Sequence, residues 1–283
     1  MLAGGTGSRL WPITQVVSKQ LLPVYDKPMI YYPISLLMAA GIREFTIIST
    51  PRDLALFQAL LGDGSRWGVN FKVVEQDQPR GLPDAFNLVS QDELNSGSIL
   101  ILGDNLFYGS QIAKKVFELL EIPGAAIFGY LVNEVNAYGS LQFDPSGKLT
   151  GLAEKAEKGR GYAIPGIYKF DAAVRDFAAL LKPSARGELE ITDLLKCYLA
   201  QSNLDFRILD RGTAWLDTGT VENLNQAAEL IRVIQSRQGM LIGSPEEVAF
   251  RNKWISEQEF AKLAKGYGES EYAKSLLNVL REK

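Results

Sequence analysis

Gly4, Gly5 and Gly7 follow a short apolar start, Arg9 stands two residues beyond them, and Lys19 comes ten residues after that. Glycines let a backbone take positive φ angles and bring its N–H groups against a bulky anion, because no Cβ intervenes. Two cations beside such a turn can neutralise a polyphosphate that N–H groups alone would hold weakly. The stretch is neither the G-x-x-x-x-G-K-[ST] loop nor the G-x-G-x-x-G fingerprint. A plain tight turn with two solvated charges fits the same residues, and the stretch by itself leaves both readings open.

Four further places carry chemistry-bearing side chains. Asp104 follows the apolar run 99–102 with one glycine between, where a buried strand opens onto a sheet edge. A carboxylate there has to be paired, hydrogen-bonded or metal-bound, with loop capping as the other reading. Asp217, in Trp215-Leu-Asp-Thr-Gly219, is also of the type that caps a turn or a helix. Together the two can supply hard oxygen ligands to one Mg²⁺, which keeps several waters and takes further ligands from phosphates. Glu154 and Lys155 lie in a polar loop and read equally as a solvated pair. Gln76 can offer a donor and an acceptor to a base edge and Gly81 lets a flat ring lie on the backbone, though 75–82 also reads as a turn. Trp215 reads equally as core filler.

Composition narrows the chemistry. The 283 residues contain no histidine, which excludes a histidine base, a phosphohistidine and a histidine metal ligand. Cys197 is the single cysteine, so no intrachain disulfide forms. Thirty Lys+Arg against 33 Asp+Glu give a net charge of −3, with no overall footprint for nucleic acid or an anionic membrane. No long apolar run is present, and the chain reads as cytoplasmic.

The elements that must position these residues alternate between strand and helix in the first half. The pattern predicts a helix over 28–41 with Pro33 forcing a kink or a late start, strands at 45–49, 71–75 and 98–102, and helices at 54–61 and 85–89. Such alternation implies an α/β fold, a Rossmann-like and mostly parallel sheet flanked by helices, with ligands at the C-terminal strand ends. From 125 onward the pattern adds antiparallel strands at 125–131, 140–143 and 162–170, then helices at 174–181 and 188–200 and a strand at 206–209. Beyond Thr220 it is mostly helical. The expected division is a catalytic domain at 1–220 and a helical extension at 221–283.

Leu2-Ala-Gly-Gly-Thr-Gly-Ser-Arg-Leu10 and Ser18-Lys-Gln-Leu-Leu-Pro-Val-Tyr-Asp-Lys-Pro-Met-Ile30 resemble the sugar-nucleotide pyrophosphorylases, and within them the thymidylyl-transferring branch. Leu61-Gly-Asp-Gly-Ser65, Leu102-Gly-Asp-Asn105, Arg186-Gly-Glu-Leu-Glu-Ile-Thr-Asp193 and Ala214-Trp-Leu-Asp-Thr-Gly219 agree with it, so the resemblance spans nearly the whole chain. It implies transfer of a thymidylyl group from dTTP to glucose 1-phosphate, giving dTDP-glucose and pyrophosphate for deoxysugar synthesis such as that of dTDP-rhamnose.

The resemblance also implies residue roles. Arg9, Lys19 and Lys155 act on the phosphates, and Asp104 and Asp217 hold Mg²⁺. Gly4, Gly5, Thr6, Gly7, Gln20, Gln76, Gly81 and Asn105 bind the nucleotide, and Gly139, Glu154 and Ile164 line the sugar site. A homotetramer with an end-product effector site near the C-terminal helices is implied as well. Two departures stand out: relatives carry a few residues before Leu2 that complete a first strand, and the loop 156–161 is proline-free and about one residue shorter. A uridylyltransferase of the same family, or a non-catalytic nucleotide-sugar sensor on the same fold, is the alternative.

Overall fold

A computed structural model describes residues 1–155 and 158–281. The chain forms two compact units that are discontinuous in sequence: Met1–Leu2 with Gln76–Leu102 and Phe117–Thr213, and Ala3–Glu75 with Gly103–Val116 and Ala214–Lys283.

The first unit is built on one sheet, in the order Ser98–Ile101, Ile167–Phe170, Ala125–Val132, Gly161–Ala163, Gly139–Phe143 and Leu149–Glu154, with Leu204–Ile208 beside Ala125–Val132. The central strand begins Ala-Ala-Ile-Phe-Gly, all buried, as a strand covered on both faces must be. The helix Ile191–Ala200 buries Ile191, Leu194, Leu195 and Tyr198, a spacing that lines one helical face. Tyr198 joins Phe170 and Phe177 in a ring cluster beneath the sheet. The expected single strand over 162–170 is two strands. Pro165 has no N–H for a ladder and Gly166 turns at φ 51°, so the chain leaves one partner and joins another between them.

The second unit holds a β–α–β arrangement in which Glu44–Ser49 and Asn70–Glu75 pair in parallel around the helix Leu54–Leu61. The helix Tyr31–Ala39 starts late, so Pro33 falls in its first turn, where a missing N–H leaves no intrahelical bond unmade. Asn105–Tyr108 and Ala214–Asp217 form an antiparallel pair. Thr220 caps the long helix Val221–Gln238 by accepting from the Asn223 N–H, and Gly239 ends it in the left-handed region. Ser244, Ser256 and Ser270 open the three helices that follow. Ala227, Ile231 and Ile242 from this region bury themselves with Val24, Met29, Tyr32 and Leu106. Thr220 therefore lies inside a compact unit, and the helices after it share a core with the N-terminal third of the chain.

The α/β class and the C-terminal helices are as expected, while the sheets are mixed. Among the described strands, parallel pairing joins Glu44–Ser49 to Asn70–Glu75 and Leu204–Ile208 to Ala125–Val132, and the other pairings are antiparallel. Tight turns such as that at Asp144–Gly147 return the chain antiparallel, whereas a parallel return requires a crossover. No described helix is long and apolar enough to cross a membrane.

Gly124 opens the central strand where a Cβ would stand 2.2 Å from Asn203 Oδ1 and 2.4 Å from Asn203 O, at φ 68°. Gly147 has φ 84° with nothing within 4 Å. Gly124→Ala is expected to lose about 2–4 kcal/mol of stability and Gly147→Ala about 1 kcal/mol, read from urea unfolding midpoints.

Candidate active site

Within the second unit the Gly-rich turn is locked from inside. Gly7 sits at φ 59°, its carbonyl accepts from the Thr14 hydroxyl at 2.7 Å and from the Leu10 N–H at 2.8 Å, and a Cβ on it would press on Thr14 at 3.1 Å. Gly5 turns at φ 119°, and with Thr6 it stays exposed; Gly4 is half-buried. Lys19 and Gln20 begin a short 3-10 turn, Lys19–Leu21. Gln20 is buried, with Oε1 against the Ser18 hydroxyl, which also lies 3.2 Å from Ala3 O. With the Gln20 amide nitrogen turned to Ser18, the amide donates to Ser18 Oγ and the single hydroxyl proton goes to Ala3 O.

Asp104 and Asp217 are neighbours because two strands pair there. Asn105 faces Asp217 across the antiparallel ladder, and the Asp104 carbonyl accepts from the Thr218 hydroxyl at 2.7 Å. Lys19 Nζ forms an ion pair with Asp104 Oδ2, both side chains being largely buried. Arg9, though exposed, lays its guanidinium against the Gly219 backbone: a Cβ on Gly219 would stand 2.7 Å from Arg9 Nη2 and 3.0 Å from Asp217 Oδ1. Burial lifts the Asp217 carboxyl above the ordinary carboxylate range, and the charge of Asp104 adds to the lift. Lys19, Arg9 and the Gly219 N–H, which donates to Oδ1 at 3.0 Å, pull the other way. Asn105 is buried, its Oδ1 accepting from the Trp215 indole N–H at 2.6 Å and its Nδ2 lying 3.4 Å from Asp104 Oδ1. Trp215 is thus a hydrogen-bonded support as well as filler.

No group of three or more carboxylate or thiol side chains suited to a metal occurs among the described residues. Asp104 and Asp217 therefore offer a two-carboxylate donor set, of the hard, sparse kind that Mg²⁺ accepts.

The first unit gathers the sugar-site residues. Gly139 pairs with Glu154 across the ladder, and its carbonyl accepts from the Ile164 N–H at 2.8 Å. A Cβ on Gly139 would meet Thr192 Cγ2 at 3.0 Å, Glu154 Oε2 at 3.6 Å and Ile164 Cδ1 at 3.7 Å. Glu154 accepts from the Thr192 hydroxyl at 3.2 Å and lies 3.4 Å from Arg186 Nη2, while Arg186 holds Glu190 at 2.6 Å. Lys155 is exposed in the left-handed region at φ 50°, its N–H donating to Tyr138 O at 3.1 Å. That is an uncommon conformation for a residue with a Cβ. Of the loop 156–161, Ala156 and Glu157 lie outside the described residues.

Gln76 and Gly81 also lie in this unit. The buried Gln76 amide donates to Asp84 Oδ2 at 2.8 Å. Gly81 has φ 102°, and a Cβ there would stand 2.1 Å from Leu189 O, so the neighbouring backbone by itself demands glycine.

Three supports escaped the sequence reading. Asp84 and Thr192, which orient Gln76 and Glu154, look in sequence like ordinary residues at helix starts. Arg186 stood only inside a matching stretch, without a role.

The nucleotidyl transferase family profile matches residues 1–233. A glucose-1-phosphate thymidylyltransferase of Xanthomonas campestris pv. campestris (strain B100) is 50% identical over 279 residues, 98% of this chain and 94% of the relative. The enzyme of that name from Mycobacterium tuberculosis (strain ATCC 25618 / H37Rv) is 46% identical over 282 residues, 99% of this chain and 98% of its own. A solved structure from Bacillus anthracis, described as a glucose-1-phosphate thymidylyltransferase in complex with a sucrose, superposes with a TM-score of 0.74 at 37% identity, covering 82% of this chain and 93% of that one. A UDP-glucose pyrophosphorylase complexed with UDP-glucose shares the fold, with a TM-score of 0.70 at 22% identity over 82% of this chain and 97% of that one. The Gly-rich turn, the paired carboxylates and this similarity along nearly the full length agree: the chain belongs to the nucleotidyl transferase family.

Proposed function

We propose that the chain transfers a thymidylyl group from dTTP to glucose 1-phosphate, releasing pyrophosphate and giving dTDP-glucose for deoxysugar synthesis. The observation that carries this is the meeting of Asp104, Asp217, Lys19 and Arg9 beside a Gly-rich turn, in a chain about half identical to enzymes of that name.

The sugar phosphate attacks the α-phosphorus, a new P–O bond forms and the bond to pyrophosphate breaks. A phosphate monoester has its second pKa near 6. The nucleophile is therefore already largely dianionic at neutral pH, which suits a protein without histidine. The work left to the protein is to hold two anions in line and offset their repulsion. In this reading Gly4, Gly5, Thr6 and Gly7 receive the triphosphate on the turn, Arg9 meets charge developing on it, and Lys19 neutralises its α- and β-phosphates. Lys155 steers the attacking phosphate, Glu154 takes sugar hydroxyls where Gly139 leaves room, and Ile164 closes the apolar side. Gln76, set by Asp84, reads the pyrimidine edge. Gln20, Asn105 and Gly81 complete the nucleotide site. Asp104 and Asp217 would hold Mg²⁺, which supplies positive charge to phosphate oxygens. A cytoplasmic homotetramer belongs to the same proposal, checked by light scattering in solution.

Pyrophosphate release is expected with Mg²⁺, glucose 1-phosphate and dTTP together, and not when the sugar phosphate is omitted. Arg9→Ala and Lys155→Ala should each lower kcat/KM by about a hundredfold or more; near-normal turnover in both would refute the assignments. Gln76→Ala should reduce the preference for dTTP over UTP by about tenfold, and an unchanged ratio would remove Gln76 from base recognition.

Asp217 supplies a test by stability. Its folded-state carboxyl binds a proton more tightly than the unfolded chain does, so its ionisation takes stability away as pH rises from the unfolded value through the raised folded one. Without divalent ions, Asp217→Asn is therefore expected to melt at the same or a higher temperature than the parent at pH 7. The difference should close below about pH 4, where both forms are uncharged. The same variant should lose about a hundredfold in turnover and the parent's gain in melting temperature with Mg²⁺. A variant that melts well below the parent at pH 7 would contradict the charge repulsion.

A further inference from the structure

The segment that joins the Gly-rich turn to Lys19 lacks the usual means of staying in place. It contains no α-helix or strand, only the 3-10 turns Ser8–Leu10, Ile13–Gln15 and Lys19–Leu21. It turns large apolar side chains outward, with Trp11 55%, Ile13 45% and Val16 79% exposed. Leu10 is its one fully buried large apolar side chain, so between Leu10 and Lys19 polar contacts must do most of the fixing.

Those contacts converge on two residues of a different element. Asp53 directly precedes the helix Leu54–Leu61 with helical angles, φ −100° and ψ −5°, and the Leu54 N–H donates to Thr50 O at 3.1 Å, so it stands in the first turn rather than in a capping conformation. Its side chain bonds none of the helix's own N–H groups. Its carboxylate, 1% exposed, turns instead to the backbone of the loop: Oδ1 accepts from the Ser18 N–H at 3.1 Å, next to Lys19. Oδ2 accepts from the Thr50 hydroxyl at 2.9 Å and from Arg52 Nη2 at 2.8 Å. Arg52 in turn reaches the loop at a second point, Nη1 donating to Gln15 O at 3.0 Å and lying 3.4 Å from Thr14 O. Thr14 closes the circuit through its hydroxyl bond to Gly7 O at 2.7 Å. One carboxylate and one guanidinium thus tie the glycine turn at one end and Lys19 at the other to the C-terminal end of the strand Glu44–Ser49.

We infer that Asp53, with Arg52, is a positioning residue for nucleotide binding: the pair holds the segment from Gly7 to Lys19 in a phosphate-receiving arrangement before any ligand arrives. This rests on the reading of residues 4–19 as the part that takes the triphosphate. A side chain that served only the stability of its own helix would aim at that helix. A loop fixed in advance binds its ligand without first having to be ordered, so loosening it falls on the nucleotide and spares the sugar phosphate, whose residues Glu154, Lys155 and Gly139 belong to the other compact unit.

The test compares Asp53→Ala, Asp53→Asn and Arg52→Ala by amide hydrogen exchange of the ligand-free protein and by steady-state kinetics with dTTP and glucose 1-phosphate. Asp53→Ala is expected to speed exchange across residues 14–19 and to lower kcat/KM for dTTP by about tenfold or more, with KM for glucose 1-phosphate within about twofold of the parent. Asp53→Asn keeps an acceptor oxygen for the Ser18 N–H and should recover most of the loss. Arg52→Ala, at a side chain 44% exposed, carries the same readouts if Asp53→Ala fails to fold. Unchanged exchange in the loop would overturn the clamp itself. Faster exchange with both substrates equally affected would overturn the positioning role in favour of general destabilisation. Faster exchange with neither KM nor kcat altered would overturn it through the nucleotide reading, since the clamp would then hold a loop that binds no nucleotide.

Discussion

The arrangement turns on the repulsion between two carboxylates that strand pairing forces together. Asp217 faces Asn105 in an antiparallel ladder, and Asp104 precedes Asn105, so neither acid can withdraw without breaking the pair. Burial makes their shared charge harder to bear, which is why Asp217 is held above its ordinary range. Water cannot relieve that strain where the side chains are mostly buried. Cations can, and Lys19 and Arg9 are the cations at hand.

The same repulsion explains why the Gly-rich turn and Lys19 stand where they do. Lys19 is brought to Asp104 by a loop whose ends are both tied to backbone, through Thr14 to Gly7 and through Ser18 to the start of the chain's first turn. Arg9 reaches Asp217 only because Gly219 has no side chain to keep the guanidinium away. An anion arriving at the turn enters a field in which positive groups are already placed and already in balance with carboxylates.

How much of this was legible in the sequence depended on whether the determining contact was local. Asp104 could be read because a buried strand ends just before it, and the absence of histidine confined the chemistry with no structure at all. The break at Pro165–Gly166 is locally encoded too, yet the strand-like residues on either side of it, 162–164 and 167–170, outweigh it in the pattern. Gly81 was read as room for a ring, while the close neighbour is the backbone of Leu189, more than a hundred residues away. The sharing of a core between Val24 and Ile242 is likewise a long-range fact that periodicity does not carry. Asp84 and Thr192 were illegible for the same reason: each looks like a residue that begins a helix, and only the fold shows which distant side chain it serves.

A pattern joins the groups assigned to ligands in the two units. Gln76 is fixed by Asp84, Glu154 by Thr192 and Arg186, Gln20 by Ser18, and Lys19 by Asp104. Each of these four already has a partner, so its rotamer is chosen in the ligand-free protein and little side-chain entropy would remain to be lost on binding. For an enzyme that must bring two anions together, such preorganisation matters more than strong individual contacts, because charges able to swing away would follow either substrate and screen neither. Lys155 differs from these four: it is exposed, and its backbone sits in a conformation that few residues adopt. In the role proposed for it, a cation that meets the attacking phosphate would gain from reach rather than rigidity, and the left-handed backbone at Lys155 would set the direction of that reach while the side chain stays exposed.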